Sequence, residues 1–418
     1  MKKILVVDDS KTVLGLLKEE FSHYDDVEVF FVKNYEEASA LIQRYHEEIE
    51  VALLDIHLPD APNGEIISFA NMHNIPTIVL TGTINKEIRA TIQKNDIISY
   101  IVKDKPSSIN LAVKTVRMVL KNSDRTVLII HDSPSIRAML SGILNKMNLN
   151  VLEVTDAEEA LNILKNNKQN ISLVITGNGM SGLSGLDLTI KIREMYHKDE
   201  LGIIAISAAS DKDVIDDFLT FGANDFMSKP FTSSEVISRV NSNLELIDLF
   251  AQITYMANRD FMTGVYNRRY FFESGNRIFL KAKRKALPVA VAMLDIDKFK
   301  NINDMYGHSI GDLAIKEVNK ILEKNLRSTD LIARFGGEEF CILLDEITVE
   351  DLQKRFEQIR NDFETNILVI SGRNIKYTVS FGIAYGMLDS LEEMIKLSDE
   401  ALYFSKKNGR NQVTLQNA

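Results

Sequence analysis

An internal repeat constrains the fold of this chain more than any other feature. The segment "KKILVVDDSKTVLGLL" at residues 2–17 reappears in altered form as "RTVLIIHDSPSIRAML" at residues 125–140. Each copy runs from an apolar strand through a polar pair and a serine that can cap into a helical pattern, and short apolar runs then alternate with amphipathic segments. This alternation predicts two tandem α/β domains, each with five parallel strands joined by crossover helices.

The strands that follow the opening strand of each domain are predicted from short apolar runs. These runs lie at residues 27–32, 51–54, 77–80 and 98–102 in the first domain, and at 150–154, 171–176, 202–206 and 224–227 in the second. Residues 233–258 lack Gly and Pro and keep apolar residues at helical spacing. They predict a last helix that continues as a stalk into a third, different domain.

The composition argues against several classes of protein. A hydrophobic fraction of 45% over 418 residues is ample for several packed cores, whereas the net charge of −10 opposes extensive contact with nucleic acid or an anionic membrane surface. The apolar stretch after the N-terminal lysines is too short for a signal peptide, and no run reaches the roughly 20 apolar residues of a membrane-spanning helix. The single cysteine, Cys341, lies in an apolar run and is expected to be a reduced core thiol in a cytoplasmic protein.

Three carboxylates are expected at one edge of the first sheet. Asp8 and Asp9 follow the first strand and Asp55 follows the third, and the carboxyl ends of parallel strands face one crevice. Two like charges about 4 Å apart repel by roughly 4 kcal/mol at an effective dielectric of 20, so the cluster favours a divalent cation such as Mg²⁺. Thr81 and Lys103 add a hydroxyl and an ammonium at the same edge. The alternative is that these acids only cap helices and solvate the sheet edge.

In this register the residues resemble the receiver domain of two-component response regulators, over residues 1–121. The resemblance implies a flavodoxin-like fold in which Asp55 accepts a phosphoryl group from a sensor histidine kinase or phosphotransfer protein. It implies one Mg²⁺ bound by Asp8, Asp9, Asp55 and His57. The implied phosphate contacts and aromatic switch are Thr81, Lys103 and Tyr100.

Two departures from the receiver pattern fall close to this site. Gly64 stands nine residues after Asp55, where receivers commonly have eight, and Asp104 rather than proline follows Lys103. The acceptor loop is therefore expected to be locally reshaped.

The second domain resembles a receiver that has lost its phosphorylation site. Gly177 stands at the acceptor position and His131 replaces the first acid, while Asp132, Ser207 and Lys229 remain. This domain is expected not to be phosphorylated, and His131 is expected to be a satisfied polar substitute rather than a metal ligand. The bond from Lys229 to the next residue, a proline, is a plausible cis peptide. Two interpretations stay open: an adaptor that packs against its neighbour and transmits its phosphorylation, or a passive spacer.

The third domain opens with "RDFMTGVYNRRYF" at residues 259–271 and continues through a lysine-rich helix to "PVAVAMLDIDKF". The run "VAVAML" is almost wholly apolar, which predicts a central strand that ends at Asp295 and Asp297. Further on, "DLIARF" and "EFCILL" are strand-like and enclose two glycines, a strong signal for the tight turn of a β-hairpin. Glu338 and Glu339 directly follow this turn.

Three motifs of this domain resemble those of the GGDEF family of diguanylate cyclases, here in its GGEEF form. They are "DFMTGVYNRR", "DIDKFKNINDMYGHSIGD" and "RFGGEEF", in order, and the match runs over residues 256–415. The resemblance implies an α+β domain of the nucleotide-cyclase or palm type, in which the hairpin pairs with the central strand and brings the glutamates to its end. The implied reaction joins two GTP molecules into cyclic di-GMP and releases two pyrophosphates. The resemblance also implies a homodimer, because each cyclase domain would bind one GTP.

The resemblance also implies a role for individual residues. Two Mg²⁺ ions per cyclase site would be held by Asp295, the Ile296 carbonyl, Glu338 and Glu339, and one glutamate would favour loss of the 3′ proton. Arg334 would steady developing charge. Guanine would be read by Asn303 and Asp312, the phosphate loop would contain Phe299 and Lys300, and the β- and γ-phosphates would be clamped by Lys406 and Arg410. The alternatives are a helix N-cap for Asp312, a turn position for Asn303 and a basic last helical turn for the two cations.

A short motif before the hairpin concerns control. Arg327 and Asp330, in "RSTD", stand at the spacing of the family's inhibitory product site, with Arg360 as a further contact; the alternative is an ordinary surface loop. The expected domains are a phosphoacceptor receiver at 1–121, a degenerate receiver at 122–245, a helical linker at 246–258 and a cyclase at 259–418. Two functions stay open: a cyclase activated by phosphorylation and dimerisation, or an inactive sensor of cyclic di-GMP or GTP that signals by protein contact.

Overall fold

The computed structural model of this chain describes residues 1–82, 95, 97–105, 107–166, 169–180, 182–208, 212–370 and 373–418. The chain forms two compact units, Met1–Ala251 and Gln252–Ala418. The first unit contains two parallel sheets and the second contains a mixed sheet. No helix in the described ranges combines the length and apolarity that crossing a membrane requires.

The first sheet is parallel and has a flavodoxin-like strand order. Its strands are β1 (Lys2–Val7), β2 (Val27–Val32), β3 (Ile49–Leu54), β4 (Thr77–Thr81) and β5 (Ser99–Val102). They lie in the order β2-β1-β3-β4-β5. The accompanying helices are α1 (Lys11–Phe21), α2 (Tyr35–Tyr45), α3 (Glu65–Met72) and α4 (Ser107–Asn122). The predicted crossover helix between β4 and β5 lies largely outside the described residues.

The second sheet repeats this topology. Its strands are β6 (Thr126–Ile130), β7 (Asn150–Val154), β8 (Ile171–Gly177), β9 (Gly202–Ala208) and β10 (Asp225–Lys229). They lie in the order β10-β9-β8-β6-β7, which is the first sheet's order read from the other edge. The helices are α5 (Pro134–Lys146), α6 (Ala157–Asn166), α7 (Gly185–Arg193), α8 (Lys212–Thr220) and α9 (Ser233–Asn258).

The predicted strands agree with the observed ones to within two residues at either end, and the predicted stalk helix matches α9. The two repeated serines differ. Ser10 caps α1, since its hydroxyl accepts from the Val13 main-chain N–H at 3.4 Å, whereas the Ser133 side chain makes no capping bond to α5. Pro134 opens α5 and lacks an N–H, which leaves fewer donors to satisfy at that helix start. The peptide bond between Lys229 and Pro230 is cis, as the sequence suggested.

The last helix of the first domain contacts the stalk helix within the first unit. Lys121 of α4 lies 2.5 Å from Asp248 of α9, and Arg125, in the connection between the two sheets, pairs with the same carboxylate. Burial alone would raise the pKa of Asp248, but the two cations outweigh it and lower that pKa. Lys114 and Glu245 add an exposed pair at 3.3 Å.

The second unit is built on a mixed six-stranded sheet. Its strands are β11 (Tyr266–Asn267), β12 (Val289–Ile296), β13 (Leu331–Gly336), β14 (Glu339–Asp345), β17 (Val379–Gly386) and β18 (Val413–Asn417), and β15 (Leu368–Ile370) and β16 (Arg373–Ile375) form a separate hairpin. The sheet order is β11-β13-β14-β12-β17-β18. The helices are α10 (Arg268–Arg284), α11 (Phe299–Tyr306), α12 (His308–Asn325), α13 (Val349–Thr365) and α14 (Leu391–Lys407).

The central strand of this unit is β12, as predicted. All of its residues are buried, because it lies between β14 and β17 and has a core on each face. Ala290, Ala292 and Leu294 pack into one core, while Val291 and Met293 pack into the other. β13 and β14 form the predicted antiparallel hairpin, with an irregularity between Arg334 and the turn. These features confirm the expected fold of two parallel α/β domains followed by an α+β domain.

Candidate functional site

The three acids at the edge of the first sheet converge as predicted. One oxygen from each of Asp8, Asp9 and Asp55 lies within 4.8 Å of the others, and within the described ranges no other trio of His, Cys, Asp or Glu side chains meets this distance. Asp8 and Asp55 are buried and Asp9 is exposed. Lys103 reaches into the cluster, with its Nζ 2.5 Å from Asp8 Oδ2 and 2.6 Å from Asp55 Oδ2.

The charges in this cluster are unbalanced. Burial raises the pKa of Asp8, and the nearby Asp55 adds to that rise although Lys103 opposes it. Burial lowers the pKa of Lys103, but its two carboxylate partners outweigh burial and raise it overall. Because three carboxylates face one ammonium among the residues that the structure describes, the oxygen donors suit a hard divalent cation such as Mg²⁺. The donor set therefore fits the metal that the resemblance implies.

The other residues predicted for this site differ in how buried they are and in whether they reach the acidic cluster. Thr81 is fully buried at the end of β4, whereas the Tyr100 side chain is 51% exposed. The His57 imidazole lies outside the acidic cluster, since its Nδ1 lies 2.9 Å from the Pro62 carbonyl oxygen. The His57 side chain is therefore not part of the set of atoms that converge in this cluster. The longer acceptor loop contains a bridge between Leu58 and Ala61 and places Gly64 at φ +80° before α3.

At the corresponding edge of the second sheet, the His131 imidazole lies at the acceptor position. Lys229 Nζ donates to His131 Nε2 at 2.8 Å, and His131 Nδ1 lies 2.8 Å from Asp132 Oδ1. The Ser133 main-chain N–H lies 3.0 Å from the same Nδ1 and donates to Asp132 Oδ1 at 2.8 Å, so both ring nitrogens have protein partners. A Cβ on Gly177 would lie 2.8 Å from His131 Cδ2, so the ring occupies the space of an acceptor side chain. His131 is thus satisfied by protein partners.

The acids of the second unit lie around the end of β12. Asp295 pairs in register with Glu339 of β14. Glu338 directly precedes Glu339 and lies in the hairpin turn. Lys406, in the last turn of α14, lies 2.8 Å from Asp295 Oδ2. Burial raises the pKa of Asp295 to about 6; Lys406 opposes the rise, and the two glutamates add to it. This set is looser than the cluster of the first sheet, because its three carboxylates do not meet the 4.8 Å distance in the described structure.

Arg334 is occupied by protein acceptors. Its Nε and Nη2 donate to the Gly337 carbonyl at 2.9 and 2.7 Å, and its Nη1 donates to Asp260 at 3.1 Å. Burial alone would raise the pKa of Asp260, but bonds from Thr263 and Arg334 outweigh burial and lower it. Arg334 therefore fastens the glycine turn, in which Gly337 has φ +47°, to the "RDFMTG" segment. The sequence indicated neither this link nor the part of Asp260 in it.

The candidate guanine and phosphate residues lie on α11, α12 and the segment after α14. Asn303 Oδ1 is buried beside Gly311 and has no hydrogen-bond partner in the described part of the chain. Phe299 is partly buried against the core, and Lys300 and Asp312 are exposed. Arg410 lies beyond the end of α14 with φ +66°.

Three of the alternative readings can now be judged. Asn303 lies inside α11 and not in a turn, and Asp312 lies inside α12, whose N-cap position is Gly307, so both structural alternatives are wrong. Lys406 does lie in the last turn of its helix, as the alternative held, and it also pairs with Asp295.

The "RSTD" motif forms a turn before β13. Asp330 is buried, and its Oδ2 accepts from the Arg327 main-chain N–H at 2.8 Å and lies 3.5 Å from Arg355 Nη1. Burial raises the pKa of Asp330 although both arginines oppose the rise. The Arg327 side chain is exposed. Arg360 pairs instead with Glu357 and Glu364 and donates to the Asn411 side chain.

Comparison with protein families assigns both kinds of domain. Residues 4–114 and 127–241 match the response regulator receiver domain, and residues 257–412 match the family described as diguanylate cyclase, GGDEF domain. A crystal structure described as a two-component system response regulator/GGDEF domain protein aligns over 59% of this chain and 100% of that chain, at 31% identity and a TM-score of 0.50. The chain belongs to the GGDEF response regulators.

Curated relatives of this GGDEF response regulator include named cyclases. Diguanylate cyclase A of Treponema denticola is 36% identical over 206 residues, which is 47% of this chain and 55% of that protein. Response regulator PleD of Caulobacter vibrioides is 30% identical over 254 residues, which is 58% of this chain and 56% of that protein. The chain thus spans just over half the length of these curated relatives.

Proposed function

We propose that this GGDEF response regulator is a diguanylate cyclase that condenses two GTP molecules into cyclic di-GMP and two pyrophosphates. In each of the two steps a 3′-hydroxyl oxygen bonds to the α-phosphorus of the other nucleotide. The bond from that phosphorus to the oxygen that bridges it to the β-phosphate breaks, and pyrophosphate leaves with the electron pair. The proposal includes a cytoplasmic location.

The observation that carries this proposal is the position of the acids beside Lys406. Asp295 and Glu339 are register partners on adjacent strands, Glu338 neighbours them, and an ammonium lies 2.8 Å from Asp295. Asp295, the Ile296 carbonyl and the two glutamates would hold two Mg²⁺ ions, which when bound would neutralise phosphate charge and lower the pKa of the attacking hydroxyl.

The remaining residues of this domain would bind and orient the substrate. One glutamate would accept the 3′ proton, while Asn303 and Asp312 would read the guanine edge. Support for this role comes from the positions of Asn303 and Asp312 on α11 and α12, the two helices that follow β12 in the chain. Arg334 enters the proposal as a positioning residue rather than as a direct contact to developing charge. The phosphates would be met by Phe299, Lys300, Lys406 and Arg410.

Regulation is proposed to start at the first receiver domain. Asp55 would accept a phosphoryl group from a histidine kinase or phosphotransfer protein, with one Mg²⁺ in the cluster that it forms with Asp8 and Asp9. Thr81 and Lys103 would contact the phosphate, and the exposed Tyr100 would be the switch. The second receiver-like domain is proposed as an adaptor rather than a spacer, because the contacts of Asp248 join the last helix of the first domain to the stalk.

The active species is proposed to be a homodimer. Support comes from exposed apolar side chains at helical spacing along α9, a face that a second copy would bury. These side chains are Leu246, Leu249, Phe250 and Ile253. Accumulated product is proposed to inhibit the enzyme at Arg327 and Asp330.

Turnover by the purified chain tests this proposal. With GTP and MgCl₂, after treatment with acetyl phosphate, the wild type should form cyclic di-GMP and Glu338→Ala should not. Arg327→Ala should turn over normally but lose inhibition by added cyclic di-GMP. Tight binding of cyclic di-GMP without any turnover would instead favour the sensor function. Undiminished activity in Glu338→Ala would remove the site assignment.

A further inference from the structure

Asp297 lies two residues beyond Asp295, but its carboxylate accepts hydrogen bonds from other parts of the protein. The side chain is buried. Thr378 Oγ1 and the Asn411 main-chain N–H donate to its Oδ2 at 2.7 and 2.9 Å, and Ser380 Oγ donates to its Oδ1 at 2.7 Å. Both oxygens therefore serve donors of the protein, which leaves Asp297 outside the acids that surround the end of β12.

One of these donors belongs to an unusual turn. Gly409, Arg410 and Asn411 follow α14 and have φ of +116°, +66° and +48°. Consecutive left-handed residues are unfavourable for side chains other than glycine, so a turn of this kind persists only where neighbouring groups hold it. The Arg410 N–H donates to the Ser405 carbonyl at 3.0 Å, and Asp297 holds the far side of the turn through Asn411.

We infer that Asp297 is a positioning residue, which holds the turn at Gly409–Asn411 and thereby sets the place of Arg410 for the terminal phosphates of a nucleoside triphosphate. Asp297 also joins the end of β12 to this turn, so the acids and the arginine keep a constant spacing. The inference rests on the proposed function only in the ligand assigned to Arg410. Asp297 contacts no substrate and acts through the turn.

Equilibrium binding of guanosine 5′-[α,β-methylene]triphosphate in MgCl₂ tests this inference, measured by calorimetry on the full chain. Asp297→Ala removes the acceptor of the Asn411 N–H and should raise the Kd about tenfold, as expected for a lost buried partner. Ser380→Ala is the matched control, because it removes a bond to the same carboxylate but leaves the turn attached, and it should change the Kd less than about twofold. Asp297→Asn retains a carbonyl acceptor and should restore most of the affinity.

Two further variants separate positioning from a general loss of structure. Gly409→Ala strains the same turn from the exposed surface and leaves the buried carboxylate intact, so it should raise the Kd even if Asp297→Ala does not fold. In an Arg410→Ala background, Asp297→Ala should add no further loss of affinity.

Equal Kd values for Asp297→Ala and wild type would overturn the inference, as would an equal loss in Ser380→Ala or an unchanged Kd in Gly409→Ala. GTP turnover by the wild type is measured in parallel. Absent turnover would count against the proposed cyclase, while the Kd comparison would still decide the positioning role.

Discussion

The two parallel sheets have the same strand order but different side chains at the same edge, where the lysine pairs with carboxylates in the first sheet and with an imidazole in the second. In the first, Lys103 lies 2.5 and 2.6 Å from Asp8 and Asp55. In the second, Lys229 lies 2.8 Å from His131, whose ring fills the space next to Gly177. The lysine at the end of the last strand therefore finds a partner in both, a carboxylate pair in one and a neutral imidazole in the other. The fold tolerates loss of the acids because another side chain takes over both packing and hydrogen bonding.

Of the changes that test the difference between the two domains, removal of the acceptor Asp55 should have the largest effect. Asp55→Asn should abolish phosphoryl labelling of the chain by acetyl phosphate, because the second domain has no carboxylate at Gly177 to take its place. Intact-mass spectrometry measures the label, and Asp132→Asn is the control that should remain labelled. A label that persists in Asp55→Asn and maps to residues 122–245 would show that the second domain also accepts a phosphoryl group.

The space at Gly177 can be tested by filling it. Gly177→Ala should destabilise the chain by about 1–3 kcal/mol, because its Cβ would overlap the His131 ring. Chemical denaturation measures the loss, and His131→Ala combined with Gly177→Ala should recover part of it. Gly179→Ala, where the structure places nothing within 4 Å of the new Cβ, is the control. Equal stability of Gly177→Ala and wild type would mean that the ring does not occupy this space.

Coupling through the second domain should be weaker but measurable. Asp248→Asn removes the charge shared by Lys121 and Arg125, so the ratio of activated to basal cyclase rate should fall about fivefold. Glu245→Gln breaks only the exposed pair with Lys114 and should leave the ratio unchanged, since such pairs contribute little. An unchanged ratio in Asp248→Asn would favour the passive spacer.

The smallest predicted effect is a pH dependence at His131. Burial, and then the nearby Lys229 charge, lower the pKa of His131, so below about pH 6.5 the unfolded chain binds a proton that the folded chain resists. Stability should therefore fall as pH decreases from about 6.5 toward the lowered pKa, and it should be unaffected above that window. Thermal unfolding should show a smaller fall in His131→Gln. The same slope in variant and wild type would contradict this assignment.

The elements and their order were predictable because the hydrophobic pattern reports them directly. Strands such as Val27–Val32 are short apolar runs, and the pairing of β14 with β12 followed from the hairpin and the family motif. What was missed depends on contacts between distant residues. Asp297 reads as one of two acids after a strand, and nothing local indicates that Thr378 and Asn411 take up its oxygens.

Side-chain roles were harder to predict than side-chain positions. Arg334 lies in β13 shortly before the turn, where the motif suggested, but its donors face Gly337 and Asp260, which lies 74 residues earlier in the chain. The sequence showed only that two acids were absent from the second domain. That the His131 ring fills the acceptor position could be seen only in the structure.

Phosphorylation at the first sheet is proposed to activate the cyclase in the last domain. The most direct measurement is the initial rate of cyclic di-GMP formation from GTP and MgCl₂, by wild type and Asp55→Asn, with and without acetyl phosphate. We expect acetyl phosphate to raise the rate of the wild type and to leave that of Asp55→Asn at its basal value. Equal stimulation of both proteins, or no cyclic di-GMP from either, would contradict it.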